Sequence, residues 1–184
     1  VAQTAITWLS FREMQGGKGS FGEAFSVGLQ RAVPALVVGL AQGFVIMLAV
    51  AVPLGIGVAL SSMAGGDDDA IVIGMLVAAP FAAIIASILL TGWWLAVPIV
   101  VVEGRWLSAL GRSWALTKGY RWTAFALIVI VYFLSAAAGS VPLIGPFLQI
   151  AAGAFIAVVP AVTYYAIRHA KEGVGLTEMV RVFE

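Results

Sequence analysis

The chain has 184 residues, of which 62% are hydrophobic and 10% charged, with no cysteine and a mean hydropathy of +1.06. So few polar groups cannot cover a soluble domain of this size, and without cysteine there is no disulfide, thiolate metal site or cysteine nucleophile. The formal net charge of +1 hides a segregation, because all ten Lys and Arg residues fall in three clusters separated by long apolar stretches.

In chain order, Val1 to Leu9 is apolar and reads as the end of a preceding helix (residues 1–10) whose beginning is missing, with no basic leader or cleavage motif. Ser20 and Glu23 have the spacing of a capping box, and Phe21, Phe25, Leu29 and Ala32 recur opposite Glu23, Ser26 and Gln30, which predicts an amphipathic helix. Four apolar stretches then reach the roughly 20 residues a bilayer crossing needs. They are Pro34 to Ser62, Ala70 to Val97, Trp122 to Ala138 and Phe147 to Ile167. Pro53, Pro80 and Pro160 are expected kink sites inside them, whereas Pro34 stands at a helix start. A second amphipathic element precedes the third span, with Leu107, Leu110 and Trp114 on one face and Ser108 and Arg112 on the other. A third closes the chain, with Leu176, Met179, Val180 and Phe183 against Glu178 and Arg181.

The fold expected is an all-α polytopic membrane helical bundle forming one integral domain over residues 1–184. It has four full transmembrane helices, the end of a preceding one and three cytoplasmic amphipathic helices. These short helices either lie in the inner interface or pack on one another as a cytoplasmic cap. Residues 20–97 and 104–168 each read as an amphipathic helix followed by a hairpin, a two-fold hairpin repeat, with the terminal helix at residues 175–184.

Both hairpin tips lack cations. Asp67, Asp68 and Asp69 occupy one, and Gly139 to Pro146 forms the other. The positive-inside rule therefore puts the three basic segments and the carboxyl terminus in the cytoplasm, for a multi-pass protein of a bacterial inner membrane. Trp8, Trp93, Trp94, Trp106, Trp114 and Trp122 all lie near that inner boundary, where an indole finds both an apolar bed and a hydrogen-bond partner, so they are expected as interfacial anchors.

Arg105, Arg112, Lys118 and Arg121 set four cations against Glu103 alone, beside a leaflet of anionic phosphates. This segment serves as an anchor, as a lipid-headgroup or phosphate site in which Arg112, Lys118 and Arg121 converge around Ser113 and Thr117, or as a contact for a protein. Gly39 and Gly43 form a GxxxG pair expected to let a neighbouring helix of the same chain approach closely. His169, the single histidine, has no second ligand set, and three consecutive aspartates project in different directions, so no metal site, cofactor or catalytic group is expected. Ion-coupled transport is disfavoured because the four spans contain no Asp, Glu, Lys, Arg or His. Gln42 and Gln149 lie at different depths and form no common site, while Ser87, Thr91, Ser135 and Thr163 are expected to bond to their own helix carbonyls.

The stretch from Val102 to Trp122 (VEGRWLSALGRSWALTKGYRW), the ending from Tyr164 to Gly173 (YYAIRHAKEG) and the entrance GSFGEA over Gly19 to Ala24 resemble the bacterial membrane domain associated with glycerophosphodiester phosphodiesterases and its free-standing uncharacterised relatives. The resemblance implies a multi-helix inner-membrane module. It carries no catalytic residue over, since the phosphodiesterase activity belongs to a separate soluble domain. The expected role is that of a non-catalytic accessory or structural protein, binding anionic phospholipid at the cytoplasmic leaflet and packing against another membrane protein or complex, with no nucleic acid involved. The alternative is a lipid or amphiphile carrier with a laterally open groove between the hairpins.

Overall fold

Apolar runs of this length satisfy their backbone donors and acceptors internally only as helices, and every regular element among the described residues is one. The computed structural model describes residues 2–14, 20–141 and 144–173. In chain order these hold α1 (Ala2–Met14), α2 (Phe21–Gln30), α3 (Ala32–Met63), α4 (Asp68–Gly92), α5 (Ala96–Glu103), α6 (Ser108–Thr117), α7 (Arg121–Gly139) and α8 (Gly145–Glu172). Four stretches are long and apolar enough to cross a membrane: Ala32–Met63, Asp68–Glu103, Arg121–Gly139 and Gly145–Glu172. The amphipathic element expected at residues 175–184 lies outside the described residues, as do Lys18 and Arg181 and part of the second hairpin tip. The chain divides into two compact units, residues 1–39 with 92–184, and residues 40–91.

The larger unit is built around α5, an element the sequence reading does not separate from the span before it. Ala96, Pro98, Ile99, Val100, Val101 and Val102 are all buried in this eight-residue helix. A helix apolar on every side gains by being surrounded. Leu95, Ile99, Val100, Ala109, Leu116, Ala161 and Tyr164 belong to one core cluster, and Trp8, Ala24 and Val101 form a second. Through these residues α5 contacts α1, α6 and α8, and α7 packs along α8.

The helices run on through Pro53, Pro80 and Pro160. The second apolar run is interrupted at residues 93–95. The cause is side-chain competition: the buried hydroxyl of Ser113 donates to the Gly92 carbonyl at 2.8 Å and accepts the Leu95 amide at 3.2 Å, replacing bonds that an unbroken helix would make. Thr117 also reaches the Gly92 carbonyl at 3.3 Å. At Gly92 a Cβ would lie 2.1 Å from the Trp114 ring, so only glycine lets α6 close so tightly. Gly104 ends α5 at φ +65°, a left-handed conformation that suits glycine, and its amide bonds to the Val100 carbonyl.

The capping box at Ser20 and Glu23 is formed, with reciprocal bonds of 3.2 and 3.3 Å starting α2. This helix turns its small residues Ala24 and Gly28 inward and leaves Phe25 and Leu29 exposed. Thr4 donates to the Gly28 carbonyl at 3.0 Å, which pins α1 to it. Helix α6 buries Ala109, Ser113, Leu116 and Thr117, while Leu110 and Trp114 of the expected apolar stripe are half-buried and Leu107, just before the helix, is exposed.

In the smaller unit, α3 and α4 meet where both lack a Cβ. A Cβ at Gly57 would lie 2.4 Å from the Gly74 carbonyl oxygen, and one at Gly74 2.5 Å from the Gly57 oxygen. Asp67 accepts the Ala70 amide at 3.1 Å, so the aspartate tip caps α4 and places Asp68 and Asp69 in its first turn, where the helix dipole favours negative charge. Gly39 and Gly43 have open space where a Cβ would stand, so the close approach expected there is not made within the described chain.

Candidate functional site

Two features lie together where α5, α6 and α8 end: a partly buried ionic network and, beside it, a set of cations with no acidic partner among the described residues. Glu103, the last residue of α5, is the hub of the first. Its carboxylate, 10% exposed, pairs with Arg105 at 3.0 Å, Arg112 at 3.4 Å and Arg168 at 3.8 Å, and accepts the Tyr164 hydroxyl at 2.9 Å. One turn beyond Arg168 on α8, Glu172 pairs with it at 3.0 Å and with Arg112. Burial by itself lowers the Arg112 pKa, but hydrogen bonds and charge from Glu172 and Glu103 outweigh it and raise the value above the ordinary one. Arg112 therefore stays charged and acts as the clasp between α5, α6 and α8.

Among the described residues, the five ion pairs use only Arg105, Arg112 and Arg168 as cations. Lys118, Arg121 and Lys171 form none. The Arg121 guanidinium lies 4.3 Å from the centre of the Trp114 ring, and its Nε is buried without a hydrogen-bond partner. Lys171 donates to the carbonyls of Ala115, at 3.2 Å, and Lys118, closing the carboxyl end of α6, and its ammonium lies 5.7 Å from the centre of the Tyr120 ring. Tyr120 starts α7 without a side-chain cap, so the first amides of that helix have no internal acceptor. His169 stacks on Tyr165 at 5.8 Å.

From this end an apolar groove of about 520 Å³ runs between α7 and α8, lined by Leu127, Phe155, Val158 and Val162 among others and reaching Tyr120, Thr123 and Ile167. It lies inside one hairpin.

The sequence-derived site residues thus separate into three sets. Arg105 and Arg112 are paired with carboxylates, and Ser113 and Thr117 are fully buried, bonded to the Gly92 carbonyl. Only Lys118 and Arg121 remain as unpaired cations, and the structure adds Lys171 to them. Of the tryptophans, Trp8 is core, Trp93, Trp94 and Trp114 are half-buried, and Trp106 and Trp122 are exposed, Trp122 to 85%. Sequence reasoning passed over Glu103, Tyr164, Arg168 and Glu172. The signals were a lone acid among four cations and an Arg168–Glu172 pair one helical turn apart. Gln149 donates to the Ser135 carbonyl across α7 and α8 at 2.8 Å, and Ser87, Thr91, Ser135 and Thr163 bond to their own helix carbonyls as expected. Among the described residues no three His, Asp or Glu side chains group to hold a metal ion. No known protein family, curated protein sequence or solved structure matches the chain.

Proposed function

We propose that the chain is a non-catalytic protein of a bacterial inner membrane, with its basic segments and carboxyl terminus cytoplasmic. It holds anionic phospholipid at the cytoplasmic leaflet and packs against another membrane protein. The observation that carries the lipid reading is the division of the cations: three arginines are neutralised by Glu103 and Glu172, whereas Lys118, Arg121 and Lys171, near the same end of α7 and α8, form no ion pair among the described residues. Leaving three positive charges unpaired is favourable beside anionic headgroups, where each contributes on the order of 1 kcal/mol. Exposed Trp106 and Trp122 suit the same depth, and α2, with Phe25 and Leu29 outward, suits an interfacial position.

The packing role draws on α3 and on the α4 part of the run Asp68–Glu103. Only 6% of the most apolar window of each is buried within the chain, so lipid or another protein covers the rest. The hairpin repeat and the kinship with the phosphodiesterase-associated membrane domain are part of this proposal and rest on the sequence patterns alone. A gentle extraction from the native membrane followed by intact-mass measurement tests both roles at once. A stoichiometric protein partner together with retained anionic lipid is the expected result. A lone monomer stripped of lipid defeats the reading.

The carrier reading is favoured by one observation, the open apolar groove, which lies between α7 and α8 rather than between hairpins. Transfer of labelled lipid from donor to acceptor vesicles, dependent on the protein, is the result that would replace stable retention with carriage.

A further inference from the structure

The groove ends at Tyr120, beside the unpaired cations. Along α8 the groove runs from Phe155 to Ile167, about 18 Å at 1.5 Å per residue. That is close to the depth of one leaflet, half of a hydrocarbon core of about 30 Å. Its walls are apolar over nearly their whole area; of the polar residues that line it, Tyr120 and Thr123 lie at one end and the Thr163 hydroxyl is bonded to the Val159 carbonyl. At that end Lys171 stands over Tyr120, and Lys118 and Arg121 flank Tyr120 in the chain.

We propose that this groove is a lipid site, occupied by one acyl chain of an anionic phospholipid whose phosphate lies among Lys118, Arg121 and Lys171. The inference rests on the lipid reading above and gives it a place and a geometry. An acyl chain gains little hydrophobically by leaving other lipid tails for a protein groove, so shape alone confers no selectivity within a bilayer. The headgroup decides which lipid stays. Three cations that form no ion pair among the described residues attract a phosphate diester with an uncharged or acidic headgroup more strongly than a zwitterionic one, and Arg121, held 4.3 Å from the centre of the Trp114 ring, is the cation suited to bidentate phosphate binding. The ionic network around Glu103 takes no part in binding. Its carboxylates are occupied by Arg105, Arg112 and Arg168, which holds acidic groups away from the phosphate.

The full chain, purified in mild detergent and exchanged with mixed vesicles of phosphatidylglycerol and phosphatidylcholine in equal parts, is examined by intact-mass measurement. A phosphatidylglycerol carrying a diazirine on its acyl chain is crosslinked to the unaltered protein in parallel. The expected result is selective retention of phosphatidylglycerol and crosslinks confined to the α7 and α8 segments that line the groove. Lys118→Gln is expected to reduce the preference for phosphatidylglycerol about fivefold and Lys118→Gln with Arg121→Gln roughly thirtyfold. Val162→Trp, which fills the groove without altering charge, is expected to abolish acyl crosslinking. Retention of phosphatidylglycerol with crosslinks lying elsewhere overturns the groove site and leaves the broader lipid reading standing. Equal retention of both lipids by the unaltered chain overturns both.

Discussion

The phenol of Tyr164 donates to Glu103 at 2.9 Å and accepts from Arg168 at 2.6 Å, so one hydroxyl joins the end of α5 to the polar end of α8. A buried carboxylate is tolerable only while its partners are present. Removing that carboxylate with Glu103→Gln takes one of two acidic partners from Arg112 and Arg168, which keep Glu172, and is expected to cost about 1.5–3 kcal/mol. Tyr164→Phe, which removes one bond in each direction, should cost about 1–2 kcal/mol. Arg105→Gln should cost less than about 1 kcal/mol, since that side chain is half-exposed. Thermal unfolding of the three variants in detergent gives the order, and a larger loss for Arg105 than for Glu103 would remove Glu103 as the hub.

The join between α4 and α5 makes a second expectation. Gly92→Ala drives a Cβ into the Trp114 ring, and the overpacking should cost about 1–3 kcal/mol. Ser113→Ala leaves the buried Leu95 amide without its partner and should cost a similar amount, about 1–3 kcal/mol. Because both changes act on the same contact, their effects measured together by unfolding should fall short of the sum.

Within α3 and α4, close approach depends on Gly57 and Gly74 rather than on the GxxxG pair. Gly57→Leu and Gly74→Leu should each destabilise the solubilised monomer by about 1–3 kcal/mol, whereas Gly43→Leu, facing open space, should change it by less than about 0.5 kcal/mol. Equal sensitivity at all three positions in an unfolding series would contradict the crossing seen here.

The absence of cysteine makes topology directly measurable. A single cysteine at Asp68, in the cation-free tip, should react with a membrane-impermeant thiol reagent in intact cells. One at Ser108, within the basic segment, should react only after the membrane is opened. The reverse pattern would invert the topology and detach the cations from the cytoplasmic leaflet.

Length, hydropathy and charge placement by themselves determined that this chain is helical, that four stretches are long and apolar enough to span a membrane, and where helix α2 begins. Those properties depend on neighbours in sequence: a run of apolar residues, or a serine three positions before a glutamate. Tertiary structure decided the rest. Whether Arg112 is available to a ligand depends on Glu103 and Glu172, one close in the chain and one distant, and no spacing rule forecasts that both reach it. Likewise the apolar run from α4 into α5 reads as continuous, and only the Ser113 hydroxyl, arriving from α6, breaks it. The six tryptophans look alike as boundary residues, yet Trp8 is consumed by the core and Trp122 is left outside, because burial depends on which helix face the packing of α1, α5 and α8 happens to enclose. Periodicity reports which residues share a face. The partner that covers the face is fixed by long-range contacts, and these sorted the basic cluster into structural arginines and the three cations beside the groove.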